Sequence, residues 1–338
     1  MDNLLQKLHK NWDHFQLSTK ADNIKIPTAS RNPLTVVVCV SGGSDSVALL
    51  HLLQRQRSLL NLEPHILHLN HQLRTEACQE QNFVQSLADL YKIPFHHKTA
   101  RHLKSGQSAL QESAREWRIK ESRKLLKHLG GGRIATGHQA DDQIETLLLK
   151  WLRGTHISNL QGMQWKNESF IRPLLNCRKI ELQEYLKTNQ LTWMEDTSNM
   201  STAYMRNRVR IELIPLLEEL TRQGLHSRIN DLSEQSKLLH DFLDSDYENW
   251  RQSHKNTADN SLDVLPVKVL EQAKDLLQQE ILHNFITART GQALSYRKLQ
   301  NIFIQLHTGS NHWEMHLSHE WKIRKSGKQL CLQQNQIQ

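Results

Sequence analysis

The sequence predicts an α/β fold in which a parallel sheet with covering helices forms a first domain and a mainly helical domain with a small β ending follows. Apolar runs rich in branched residues recur at 35–40, 64–71, 93–99 and 133–138. Segments of helical periodicity fill the gaps, at about 45–57, 76–91, 108–129 and 139–153, and such alternation builds βαβ units. After about residue 215 the pattern changes: 226–250, 266–290 and 295–306 read as amphipathic helices. The boundary expected from this change divides the chain into 1–217 and 218–338.

The first strand is the run Thr35-Val36-Val37-Val38-Cys39-Val40. The third helix is stopped by Gly130-Gly131-Gly132, just ahead of the fourth strand, because glycine takes the left-handed conformation that ends helices. FIRPLL at 170–175 adds a further strand, and Pro173 makes it an edge or a strand end. Near the C-terminus EWKIRKSGKQLCLQ reads as a hairpin turning at Ser326-Gly327. In the helix at 139–153, Ile144, Leu147, Leu148, Trp151 and Leu152 follow helical spacing and predict one buried face.

Composition narrows the function classes. At 338 residues two domains are the default, each able to bury a core. No apolar run approaches the length of a membrane span, and the start MDNLLQKLHKNWDHF mixes charges and apolar residues unlike a signal peptide; a cytoplasmic protein without membrane contact is expected. Cys39, Cys78, Cys177 and Cys331 lie far apart with no CxxC pair, which argues against a disulfide framework, a thiolate zinc site or an iron-sulfur cluster. HExxH is absent from the 20 histidines. A formal charge of +8 favours a polyanionic partner such as RNA.

The chemistry is concentrated in a few segments. SGGSDS, Ser41 to Ser46, follows the first strand and opens a helix. Ser41, Gly42, Gly43, Ser44 and Ser46 place backbone N–H groups and hydroxyls where an anion meets a helix dipole. A Walker A loop would carry a lysine here; this loop has Asp45, which repels phosphate unless a divalent cation intervenes, so magnesium-bound pyrophosphate is the expected ligand. Further on, ATGHQADDQIETLLLKWLRG, Ala135 to Gly154, gathers Gly137, His138, Asp141, Asp142 and Glu145. Clustered carboxylates beside a phosphate loop supply oxygen ligands for magnesium, and Asp45, Asp141 and Asp142 are the expected metal ligands. Arg206, Arg208 and Arg210 lie within five residues and near Tyr204, a grouping suited to phosphates and stacking.

SGGSDS resembles the signature of the PP-loop ATP pyrophosphatase superfamily, whose members cleave ATP between the α and β phosphates and adenylate a substrate oxygen. Five segments narrow the resemblance to the tRNA(Ile)-lysidine synthetase family. These are HLNHQLR (His68 to Arg74), the His138 to Glu145 stretch, Ala114-Arg115-Glu116-Trp117-Arg118, RPLL (Arg172 to Leu175) and EDTSNMSTAYMRNRVRIELIPLL (Glu195 to Leu217). Asn70 stands where that family usually has aspartate.

The resemblance implies a Rossmann-like PP-loop domain and a ligase. Its substrates would be ATP with Mg2+, L-lysine and the isoleucine tRNA bearing a CAU anticodon. Lysine would join C2 of the wobble cytidine through an adenylated intermediate, changing codon reading from AUG to AUA. By position it implies Asp45, Asp141, Asp142 and Glu145 as catalytic residues and the loop residues with His71, Gly137 and His138 as ATP contacts. Arg74, Arg115, Tyr204, Arg206, Asn207, Arg208 and Arg210 become tRNA contacts. The oligomeric state stays open, with a homodimer as one alternative. PP-loop thiolases commonly use a catalytic cysteine or a CxxC-bound cluster, and a non-catalytic tRNA binder would have little use for four acids beside a phosphate loop.

Overall fold

The computed structural model describes residues 3–18, 32–70, 77–100, 110–195, 205–254, 264–291 and 294–335. It divides into two compact units, Met1–Glu145 with Met163–Pro215, and Thr146–Gly162 with Leu216–Gln338.

The first unit is built on β1 (Leu34–Cys39), β2 (Leu62–Asn70), β3 (Phe95–Thr99), β4 (Arg133–Ala135), β5 (Lys166–Asn167) and β6 (Phe170–Ile171). The sheet order is β3-β2-β1-β4-β6-β5. Every pairing is parallel except β5 with β6. The chain thus moves outward from β1 through β2 to β3 and then crosses to β4 on the other side of β1. Ligands of open α/β sheets bind where the strand order reverses in this way, beyond the carboxyl ends of the strands. The expected strand at 170–175 shortens to two residues and ends ahead of Pro173, which has no N–H for a ladder.

Helices cover both faces. Val36 and Val38 of β1 join the core formed with α1 (Asn3–His14), α2 (Ser44–Gln56), α3 (Ala77–Tyr91) and α6 (Lys179–Thr188). Leu8, Leu49, Val84 and Leu186 are among its members. Val37 points the other way, toward Leu67, Ile134 and Leu126 of α4 (Leu110–His128), as the period of two in a strand requires. Each such buried aliphatic side chain is worth about 1.5–3 kcal/mol of transfer free energy. Gly132 adopts φ +130°, and a Cβ there would stand 2.1 Å from the Thr35 carbonyl oxygen, so glycine is required for β4 to enter beside β1.

Helix α5 (Ala140–Leu152) corrects one expectation. Ile144, Leu147 and Leu148 are buried, but Trp151 and Leu152 are exposed. Periodicity identifies the face of a helix and not how far along it the covering core extends.

After α7 (Met205–Arg208) a π-helical turn spans Val209–Leu213 and leads into α8 (Ile214–Leu220). The second unit contains α9 (Leu225–Ser253), β7 (Val264–Pro266), α10 (Val267–Glu271), α11 (Asp275–Thr290), α12 (Tyr296–Thr308), β8 (His312–His316), β9 (Trp321–Ser326) and β10 (Gln329–Gln334). The helix expected over 266–290 is therefore broken between Glu271 and Asp275, where the Ala273 carbonyl accepts from the Gln278 side chain at 2.7 Å. An antiparallel sheet of order β7-β10-β9-β8 packs Ile323 and Leu330 against Ile281, Leu282, Ile302 and Leu306 of α11 and α12. The β9–β10 hairpin turns at Gly327, φ +60°. Lys325 is buried, with Nζ donating to the Leu306 carbonyl at 3.3 Å. Among the described residues no helix is long and apolar enough to cross a membrane.

Candidate active site

Strand β1 delivers the chain into Ser41-Gly42-Gly43 and then α2. Gly42 takes φ +101°, a conformation open to glycine and strained for other residues. Ser46 braces the turn: its Oγ donates to the Gly43 carbonyl at 2.9 Å, accepts the Ser41 N–H at 3.2 Å and lies 3.2 Å from Ser41 Oγ. The Met194 N–H donates to the Gly42 carbonyl at 2.9 Å and fixes the loop from outside. Gly43, the N-cap of α2, supplies no side-chain hydrogen bond. The first-turn N–H groups of α2, which have no partner within the helix, and the helix dipole together suit an anion.

The second wall comes from the turn after β4. A Cβ on Gly137 would lie 3.0 Å from both Asp45 C and Ser46 N. The missing side chain lets the segments leaving β1 and β4 approach closely and brings Asp45 beside the first turn of α5.

Each carboxylate there has its own setting. Asp45 accepts from Ser44 Oγ at 3.1 Å. Burial raises its carboxyl above the ordinary range, opposed by the Lys179 charge and the Ser44 bond and reinforced by Asp141. Asp141 Oδ2 accepts the Lys179 N–H at 2.8 Å, the first residue of α6. Asp142 Oδ2 accepts the Gln139 N–H at 3.1 Å, closing the N-terminus of α5 as a capping acid does. Burial, then the Glu145 charge, push its carboxyl up to about 6.

Glu145 is 1 % exposed. Its Oε2 accepts Arg206 Nε at 2.8 Å and its Oε1 accepts Arg210 Nε. The same two guanidinium groups reach Asp142 Oδ1 at 3.5 and 3.7 Å. Arg206 and Arg210 are four residues apart and so share a face. Arg208 turns elsewhere and pairs with Glu212 at 3.0 Å.

His138 Nδ1 lies 2.9 Å from Thr136 Oγ1. Burial, and then the charges of Arg172, Arg206, Arg118 and Arg115, push its pKa down to about 3, so the imidazole is neutral at physiological pH. A neutral ring among four cations marks a place where negative charge is wanted. Arg172 donates to the Gln164 carbonyl at 2.6 Å, and its Nε is a buried donor with no partner among the described residues.

The structure brings Ser41 to Ser46, Gly137, His138, Asp141, Asp142, Glu145, Arg206 and Arg210 into one region of the first unit and sets Arg115 near His138. Asn207 is half-buried. His71, Arg74 and Tyr204 lie outside the described residues. Three contributors were not singled out from sequence. Lys179 carries the positive charge nearest in effect to Asp45. Arg172 faces His138, and His68 at the end of β2 bonds the Val40 carbonyl at 2.9 Å while its Nε2 is buried without a partner among the described residues. Arg172 and His68 lie inside segments that carry the family resemblance; nothing local marks Lys179.

Among the described residues no three His, Cys, Asp or Glu side chains form a metal-holding group by themselves. Nucleotide-bound magnesium needs no such cage, since one or two carboxylates with substrate phosphates and water suffice. Asp45 and Asp141, close enough for the Asp141 charge to raise the Asp45 carboxyl, fit that demand.

A family model described as the PP-loop domain matches residues 16–217. The chain belongs to the PP-loop family. A tRNA(Ile)-lysidine synthase of Enterococcus faecalis is 29% identical over 314 residues, covering 89% of this chain and 66% of that protein. One of Chlorobaculum tepidum is 34% identical over 213 residues, covering 62% and 64%. One of Nitrosomonas europaea is 31% identical over 281 residues, covering 80% and 58%. The chain thus spans just under two thirds or less of these relatives' lengths. Among solved structures, the U34-tRNA thiolase NcsA from Methanococcus maripaludis with its 4Fe-4S cluster aligns with a TM-score of 0.53 at 14% identity, over 70% of this chain and 78% of that one. That likeness establishes a shared fold.

Proposed function

We propose that this PP-loop protein is an ATP-dependent ligase that joins lysine to C2 of the wobble cytidine in CAU-bearing isoleucine tRNA, so that AUA is read in place of AUG. The observation that carries the reading is the uncapped N-terminus of α2 meeting the acids of α5 where the strand order reverses. The names of the relatives support the choice of substrates.

In this reading the N–H groups of Ser44, Asp45 and Ser46 with the Ser41 and Ser44 hydroxyls hold the phosphates of ATP. Asp45 and Asp141 would hold Mg2+, whose charge would offset that of the phosphates. The cytosine 2-carbonyl oxygen attacks the α-phosphorus and pyrophosphate leaves. The lysine ε-amine then attacks C2 of the adenylated cytidine, the C2–O bond breaks, and AMP departs with that oxygen. Arg206 and Arg210, aimed by Glu145, meet the charge on the α-phosphate, assisted by Arg172 and Arg118 around neutral His138.

Both Glu145 oxygens accept arginine N–H bonds, which favours a positioning role for this acid. Asp142, whose Oδ1 is held only at 3.5 and 3.7 Å by the same guanidinium groups and whose carboxyl is raised to about 6 by burial and the Glu145 charge, is the better acceptor for the proton the amine sheds. Arg74, Arg115, Tyr204, Asn207 and Arg208 are assigned to the RNA, as is the domain over 218–338, and the reaction belongs in the cytoplasm.

The test is Mg2+- and tRNA-dependent release of AMP and pyrophosphate from ATP. Asp45→Ala is expected to lower turnover at least about 100-fold, on the scale of losing one electrostatic element of a catalytic site, while tRNA affinity holds. Unchanged turnover would contradict the assignment.

A further inference from the structure

The second unit holds a surface that the proposed chemistry does not use. Trp151 is 64% exposed and Tyr296 43% exposed. Leu152 and Ile157, close to Trp151 in the chain, are exposed as well, so this segment leaves apolar surface uncovered. The backbone beneath is firmly held. Lys150 Nζ donates to the carbonyls of Asn159 at 3.0 Å and Gln161 at 2.7 Å, and Ser236 Oγ donates to the Ile157 carbonyl at 2.6 Å. The Gly162 N–H donates to Ser233 Oγ at 2.9 Å.

Tyr296 is tied to the same segment. Its N–H donates to the Gly154 carbonyl at 3.2 Å, and its ring lies 5.3 Å from that of His156. Arg153 stands two residues after Trp151 and Arg297 directly after Tyr296 in the chain, and both are exposed. Neither guanidinium forms a hydrogen bond or ion pair among the described residues, in contrast to Arg206, Arg208 and Arg210. Exposed aromatic faces on a braced backbone, with uncommitted arginines beside them, match the chemistry of unpaired nucleobases: every base has a π-face to stack, and the adjoining phosphates need cations. A purely apolar protein partner would leave both arginines facing it without counter-charge.

We propose that Trp151 and Tyr296, with Arg153 and Arg297, form a stacking platform for unpaired bases of the RNA substrate. The proposal rests on the tRNA reading given above for its ligand, and on this surface alone for its location. Stacking is insensitive to salt, whereas the arginine contacts carry the counterion term.

The experiment measures binding of CAU-bearing isoleucine tRNA transcript and of a single-stranded oligonucleotide with the anticodon-loop sequence, each at several salt concentrations. The proteins are the full chain, Trp151→Ala, Trp151→Phe and Arg153→Gln. Trp151→Ala is expected to weaken both ligands about 5- to 150-fold with the salt slope unchanged. Trp151→Phe is expected to recover most of the loss, and Arg153→Gln to reduce the slope by about one. Because Trp151 is exposed, its thermal midpoint should stay at that of the parent. Equal binding by Trp151→Ala would overturn the platform. So would concentration-dependent self-association that Trp151→Ala abolishes without change in RNA affinity, which would assign the surface to a second copy. Oligonucleotide binding that depends on Trp151 in a chain that modifies no tRNA would uphold the platform and refute the ligase reading.

Discussion

Glu145 is enclosed with a negative charge that only Arg206 and Arg210 neutralise among the contacts described above, so the pair and the acid stand or fall together. Glu145→Gln would leave two guanidinium groups facing an amide. The arginines are partly open to water, which tempers the loss expected of a fully buried pair, and a cost of about 1–3 kcal/mol follows. Urea unfolding checks it, and a double-mutant cycle with Arg206→Gln should show coupling of about 0.5–3 kcal/mol. In the assay kcat should fall more than KM for lysine rises.

His138 and Asp142 make opposite contributions with pH. The folded pKa of His138, about 3, lies below its ordinary 6.5, so the unfolded chain takes up the proton first. The stability it contributes is complete above pH 6.5 and is lost as pH falls toward 3. Asp142, at about 6 against 3.8, binds its proton more tightly when folded, so its contribution is present below 3.8 and lost as pH rises through 6. His138→Gln should therefore flatten the acid-side loss and leave Asp142's trend exposed, which denaturant midpoints at pH 5 and pH 7 would reveal. An unchanged pH trend in that variant would show that His138 is not held neutral.

At the scale of elements, two close approaches shape the site. Gly132→Ala would drive a Cβ to 2.1 Å from the Thr35 carbonyl oxygen at φ +130°, and a loss above about 3 kcal/mol is expected. Gly137→Ala faces contacts at 3.0 Å from the start of α2, so a smaller stability loss of about 1–3 kcal/mol should accompany a several-fold rise in KM for ATP. Melting curves with ATP titrations separate the two variants.

The elements forming this site were largely readable in advance. β1 announces itself by its branched run, SGGSDS by its glycines, and α5 by its acids followed by a buried stripe. What stayed hidden depends on partners brought by tertiary structure. Lys179 reaches Asp45 and Asp141 only because α6 begins beside α5, and no spacing records that. In the basic stretch from Arg206 to Arg210 the spacing gives no sign that two of the arginines pair with Glu145 and the third with Glu212. The break between α10 and α11 carries no glycine or proline to signal it.

At the scale of the whole molecule, a PP-loop unit carries the candidate chemistry and a second, helix-and-sheet unit carries an uncommitted aromatic and basic surface, in a chain of formal charge +8. The central claim is that this chain transfers lysine to one particular tRNA at the expense of ATP. Incorporation of labelled lysine into CAU-bearing isoleucine and methionine tRNA transcripts, with ATP and Mg2+ and with AMP assayed alongside, tests it most directly. The account predicts incorporation into the isoleucine transcript alone, one AMP for each lysine. AMP formed without lysine incorporation, or lysine entering both transcripts equally, would contradict it.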